Sequence, residues 1–151
     1  MQVAIDASVL VALLNPRDLW HARAQSLLDA LLDAHTTPVY FDCVIAEAVS
    51  AVARRLHEKG RVDEVRILLD RLRSRVPRES LTWILPDVPR LYAQVLELMG
   101  SSSGELNFND ALIALACRER VIPAVASFDP DFDQIGWLNR LAMSEDVSVG
   151  S

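Results

Sequence analysis

The sequence predicts a three-layer α/β fold in which helices cover a central, mostly parallel sheet of four to five strands. Short apolar runs of strand length alternate with longer segments of helical period. The strand candidates lack polar alternation, so neither face of the sheet is wet. A chain of 151 residues with 51% hydrophobic and 24% charged side chains has the core of one globular domain.

The elements follow in order. Val3-Ala4-Ile5 is the first strand, and Asp6-Ala7-Ser8 opens a helix that runs to Leu14 and stops at Asn15-Pro16. Asp18 is suited to cap a second helix through about Ala34, with Leu27, Leu28, Leu31 and Leu32 at helical spacing. Pro38-Val39-Tyr40-Phe41 is the second strand. Asp42 is expected to cap a long helix from Cys43 to about Lys59, with Gly60 in the position after the helix that glycine favours. Another helix spans roughly 62–75 and is closed by Pro77. Leu81 to Leu85 reads as a third strand, Asp87 to Met99 as a helix ended by Gly100, and Ser101-Ser102-Ser103-Gly104 as the most flexible loop. Phe108 to about Arg120 is helical, Ile122 to Phe128 is the fourth strand, and Trp137 to Ala142 is a fifth. Residues 1–143 thus form one domain, and 144–151 are polar enough to be a loose tail.

Composition excludes several chemistries. The five glycines, at 60, 100, 104, 136 and 150, cannot build a G-x-G-x-x-G or P-loop phosphate cradle. Cys43 and Cys117 stand 74 positions apart in apolar surroundings and read as buried thiols in a reduced compartment. His21, His35 and His57 have no zinc-site spacing, so a bound metal would need oxygen ligands. No basic leader precedes the first strand and no apolar run approaches a membrane span, which makes a cytoplasmic protein with no membrane partner the expectation. The formal charge of −6 argues against bulk coating of nucleic acid.

Function is carried by acids that interrupt apolar runs. From Val3 to Leu14 the only polar side chains are Asp6 and Ser8; from Cys43 to Ala53, Glu47 and Ser50; from Asn109 to Ala116, Asn109 and Asp110. A helix apolar all round is buried, and a lone carboxylate on it costs several kcal/mol unless neutralised or paired. None of these runs contains a lysine or arginine. A fourth group, Asp129, Asp131 and Asp133, follows the fourth strand. Taken one by one, Asp6 reads equally as a helix cap, Glu47 as half of a buried ion pair, Asp110 as a first-turn acid, and the last three as turn residues. Taken together, a single oxygen-ligand site for Mg²⁺ or Mn²⁺ is the simpler account, and such an ion suits phosphodiester hydrolysis.

With these motifs in place the sequence resembles a PIN-domain ribonuclease of the toxin type found in bacterial VapBC toxin–antitoxin pairs. The likeness rests on Ile5-Asp6-Ala7-Ser8-Val9-Leu10, Asp18-x-x-His21-x-x-Ala24, Glu47, Asn109-Asp110-Ala111-Leu112-Ile113-Ala114 and Ser127-Phe128-Asp129-Pro130-Asp131-Phe132, ordered from Val3 to about Leu141. It implies a PIN-like fold and an Mg²⁺- or Mn²⁺-dependent endoribonuclease. Asp6, Glu47, Asp110 and Asp129 match the family's catalytic, metal-binding acids, with Asp131 an alternate to the fourth. Ser8 and Ser127 match hydroxyl positions beside the metal, and Asn109 is placed to orient Asp110. Asp18 and His21 are expected to fix the second helix rather than do chemistry. The resemblance also implies an RNA substrate, a cognate antitoxin and a homodimer.

Residues 54–78 carry nine basic side chains against four acids, which leaves the remainder of the chain at −11. Arg54, Arg55, Arg73 and Arg75 are the candidates for tracking RNA phosphates; a solvated helical face, or a protein interface using Leu56, Val62, Val65 and Ile67, reads as well. Among other carboxylate-based α/β enzymes, a haloacid-dehalogenase-like phosphatase would need an aspartate where Ser8 stands. A receiver domain would need a lysine after a late strand, whereas the only lysine is Lys59. A PIN-like RNA-binding or scaffold module without catalysis, and a PIN ribonuclease of RNA processing outside any toxin pair, are the remaining alternatives.

Overall fold

The computed structural model describes residues 1–147. β1 (Gln2–Ile5) is the middle of a five-stranded sheet, with β2 (Thr37–Phe41) on one side and β4 (Ala124–Ala126) on the other. β3 (Leu81–Thr82) extends the sheet beyond β2 and β5 (Asn139–Leu141) beyond β4, giving the order β3-β2-β1-β4-β5 with every pairing parallel. The central position of β1 follows from its sequence: Val3, Ala4 and Ile5 have no exposed surface, as strands covered on both faces require. Register brings Ala4 opposite Val39 and Val125, and Ile5 opposite Ala126.

The helices are α1 (Ala7–Leu14), α2 (His21–Asp33), α3 (Asp42–Glu58), α4 (Asp63–Arg75), α5 (Val88–Ser101), α6 (Phe108–Glu119) and α7 (Ser144–Val147). α1 packs on α2 and α3, α3 on α4, and α7 on α2, while α5 and α6 pack on each other. Right-handed crossovers place helices that connect strands in one direction on one face, and those of the returning connection on the other. The predicted three-layer architecture is thereby realised, and α6 is deeply set, with Ala111 to Cys117 all buried. Cys43 and Cys117 are free and buried, and burial pushes both thiols up to about 12. Among the described residues no helix is long and apolar enough to cross a membrane.

Several boundaries differ from the sequence expectation, each for a local reason. Asp18 accepts from the Trp20 amide (2.9 Å) in a turn closed two residues on, so α2 begins at His21 instead of next to Asp18. Asp42 does not cap α3 but lies in its first turn; its carboxylate takes the Ile84 amide (2.9 Å) and the Leu85 amide (3.0 Å). Those bonds draw the chain out of the sheet, so β3 stops at Thr82 and a 3-10 turn follows at Leu85–Asp87. α5 runs through Gly100 to Ser101, and the left-handed residues are Ser103 (φ 55°) and Gly104 (φ 81°). In the segment expected to be the loosest loop, Ser102 is buried and its hydroxyl accepts from the Leu106 amide. β4 and β5 are each shorter than their apolar runs. Where a loose tail is expected from Ser144, α7 forms and buries Val147; the rest of that tail lies outside the described residues.

Candidate active site

The sheet order reverses between β1 and β4: the chain leaves β1 toward β2 and leaves β4 toward β5. The carboxyl ends of two such strands leave a crevice, which is where open α/β sheets bind ligands. Asp6 follows β1 directly, and Ser127 and Asp129 follow β4. α3 and α6 bring in Glu47 and Asp110. Asp6, Glu47, Asp110 and Asp129, far apart in sequence, line one cleft of about 300 Å³.

Asp6 stands at the start of α1 but makes no capping bond. Its Oδ2 accepts instead from the hydroxyls of Ser127 (2.7 Å) and Ser8 (2.9 Å), and it is 5% exposed. The two serines do more than touch Asp6. The Ser8 hydroxyl accepts from the Phe128 amide and the Ser127 hydroxyl from the Asp129 amide, each at 3.0 Å. These bonds tie the turn after β4 to the start of α1, so the positions of Asp6 and Asp129 are mechanically linked. Asp129 in turn caps a 3-10 turn (Pro130–Gln134) by accepting from the Asp131 amide (2.9 Å).

Asp110 is 6% exposed in the first turn of α6. Asn107 caps that helix by accepting from the Asp110 amide (2.8 Å), and the Asn107 backbone N–H favours the ionised Asp110 carboxylate in return. Burial nevertheless dominates: with Asp6, Asp129 and Glu47 adding repulsion, the Asp110 carboxyl is pushed up to about 7. Asn109, expected to orient Asp110, donates to Glu47 Oε2 (3.5 Å). Consecutive helical side chains diverge by about 100°, so Asn109 faces α3 and Glu47 instead of orienting Asp110. Glu47 lies on the exposed side of α3, at the cleft, rather than buried as its apolar run suggests. Its carboxyl is also raised, by burial first and then by Asp6 and Asp129, against the opposing bond from Asn109.

Neither Glu47 nor Asp110 is held ionised by a basic group, and none of the four cleft acids joins an ion pair among the described residues. The ion-pair reading of Glu47 and the capping reading of Asp6 are both excluded. The other acids sort differently. Asp131 is absent from the cleft lining and is raised by partial burial, Asp129 and Glu105. Asp133 is paired with Arg140 through two bonds of 2.8 and 2.9 Å, which lower its carboxyl. His21 Nδ1 lies 2.7 Å from the Ala12 carbonyl and joins α2 to α1, whereas Asp18 also lines the cleft, where it faces Arg55.

Of the four candidate RNA-contacting arginines, only Arg55 lines the cleft, at 3.6 Å from Asp18. Arg54 pairs with Glu58 and Arg73 with Asp70, while Arg75 lines a separate surface hollow. Sequence reasoning missed Asn107 and Trp20, both in the cleft wall. Asn107 carries a legible signal, a capping residue three positions before an acid; Trp20 carries none. Among the described residues no three acidic, histidine or cysteine side chains already form a closed metal cage. An ion that keeps several waters and binds through one or two carboxylates does not need one.

The chain matches the family model of the PIN domain over residues 3–138. In fold it is similar to the Mycobacterium tuberculosis toxin VapC20, which cleaves the sarcin–ricin loop. That likeness has a TM-score of 0.66 at 24% sequence identity and covers 89% of this chain and 95% of the toxin. No curated protein matches by sequence.

Proposed function

Because the chain belongs to the PIN-domain family, we propose that it is an Mg²⁺- or Mn²⁺-dependent endoribonuclease and the toxin component of a toxin–antitoxin pair. The observation that carries the reading is the convergence of four carboxylates, from four separate segments, on a cleft where no basic group compensates Glu47 or Asp110. Oxygen-only donors with excess negative charge fit a hard divalent cation. When bound, such an ion activates water and neutralises charge developing on the phosphodiester.

The chain's own residues divide the remaining work. Asp6, Asp110 and Asp129 would hold the ion. The Ser8 and Ser127 hydroxyls keep Asp6 Oδ2 fixed and link it to Asp129. Asn109 engages Glu47 Oε2, leaving Oε1 to take the proton from the attacking water, and the raised proton affinity of Glu47 suits it to that task. Asp129 is favoured over Asp131 as the fourth acid because it lines the cleft. Partnership with an antitoxin, pairing into a homodimer and cytoplasmic action accompany the toxin reading.

A chelator-reversible ribonuclease assay on the wild type, Asp6→Asn and Asp110→Asn tests it. Each substitution is expected to reduce cleavage by about a thousand-fold, on the order of 4 kcal/mol of barrier. Equal cleavage by all three proteins would mark the activity as contamination and leave a non-catalytic RNA-binding module.

A further inference from the structure

We propose that Trp20 is a stacking platform for an unpaired base of the RNA, beside the phosphodiester that the acid cleft receives. The inference rests on the ribonuclease reading and adds a substrate-binding residue to it. Trp20 forms part of the cleft wall and keeps 44% of its surface exposed. Its ring is braced from behind. It meets Phe128 edge-to-face, with centroids 5.1 Å apart and planes at 74°. Phe128 is itself nearly buried, lies between Ser127 and Asp129, and is anchored by its amide to Ser8. The Arg23 guanidinium sits 4.6 Å from the Phe128 centroid and 5.7 Å from that of Trp20, with its Nε bonded to the Ala142 carbonyl at 2.8 Å.

A rigid aromatic surface with an arginine against it, on the wall of a phosphodiester-cleaving site, has the composition of a single-strand binder. Every base has a face to stack, but a paired base keeps its faces inside the duplex, so the platform selects unpaired RNA. Arg55, 54% exposed on the same cleft, supplies a positive charge for a neighbouring phosphate. The bracing by Phe128 and Arg23 explains why the ring stays in place without the substrate: its orientation is set by the same turn that sets Asp129.

The test is titration of single-stranded oligoadenylate into Asp110→Asn protein, comparing Trp20, Trp20→Phe and Trp20→Ala, with a blunt RNA duplex as control. Trp20→Ala is expected to weaken single-strand binding about ten-fold and Trp20→Phe by less than three-fold, on the scale of one stacked base. The duplex should be bound equally by all three, and all three should melt cooperatively, Trp20→Ala a few degrees lower for the lost contact with Phe128. In the cleavage-competent protein, Trp20→Ala should raise KM and leave kcat nearly unchanged. Unchanged oligoadenylate affinity in Trp20→Ala overturns the proposal, as does a Phe variant no better than Ala. A loss accompanied by a changed oligomeric state also overturns it, and assigns Trp20 to a protein interface. Trp20-dependent binding without metal-dependent cleavage would support the platform while removing the nuclease reading; cleavage with an unchanged KM would do the reverse.

Discussion

The acid cleft and the arginine-rich α3–α4 hairpin hold the two concentrations of charge in this chain, and they are built in opposite ways. In the hairpin, Arg54, Arg61 and Arg73 each stand beside an acid three or four residues away along the chain. Such exposed pairs contribute roughly 0 to 1 kcal/mol, and each answers the charge of its own arginine within the same stretch of chain. In the cleft, four acids from different elements are brought together with two asparagines and two serines as their nearest hydrogen-bonding company. The fold opposes ionisation of Glu47 and Asp110, where a stability-optimised surface would favour it. Charge that is locally answered belongs to the solvated surface; charge that the fold concentrates and leaves unanswered marks a candidate functional site.

The largest expected test of that contrast is thermal. Asp110 has a proton affinity raised in the folded protein from its ordinary 3.8 to about 7. Its stabilising contribution is therefore complete below about pH 4 and is lost as pH rises through about 7. At pH 8 without metal, Asp110→Asn should be more stable than the wild type by about 1 kcal/mol, a value discounted for the water that reaches the cleft. At pH 4 the advantage should vanish. Mg²⁺ or Mn²⁺ should then raise the wild-type melting temperature at pH 8 more than that of Asp6→Asn or Asp110→Asn; equal shifts in all three would break the assignment of these acids to a metal.

A smaller effect is expected on the basic side. Arg55 lines the cleft whereas Arg73 and Arg75 do not. Arg55→Glu should weaken RNA binding about five-fold and reduce its salt dependence by roughly one phosphate contact. Reversal of Arg73 and Arg75 together should cost about two-fold, and filter binding at several salt concentrations separates the two. A larger effect from the α4 pair would mean that RNA follows the hairpin instead of the cleft. The smallest effect is reserved for the hairpin's own pairing: Asp70→Asn removes the partner of Arg73 and should change stability by less than about 0.5 kcal/mol in a denaturant titration.

The cleft acids were legible because each interrupts an apolar run, where a carboxylate without a local partner is conspicuous. Their supporting cast was less so. The capping role of Asn107 was written in its spacing to Asp110, yet the neighbouring Asn109 took the attention. Which acid Asn109 serves depends on α6 lying against α3, and no periodicity within either helix contains that. Trp20 and Arg55 were hidden for another reason: one is a lone aromatic in a polar turn and the other is one of nine basic residues in a stretch of 25. The third strand is shorter than its apolar run implies, although such a run ordinarily continues a sheet. Here Asp42, forty-two residues earlier, takes the Ile84 amide and ends it.

The kinds of element, their order and the conspicuous acids can be read along the chain, because helix and strand periods and the cost of burying a carboxylate are local properties of a few consecutive side chains. Folding is what sets β1 beside β4, brings two serines to Asp6 Oδ2 and raises the proton affinity of Asp110 to near neutrality. Parallel strands join segments distant along the chain, and proton affinities depend on distances between groups from different elements, neither of which exists until the chain has folded.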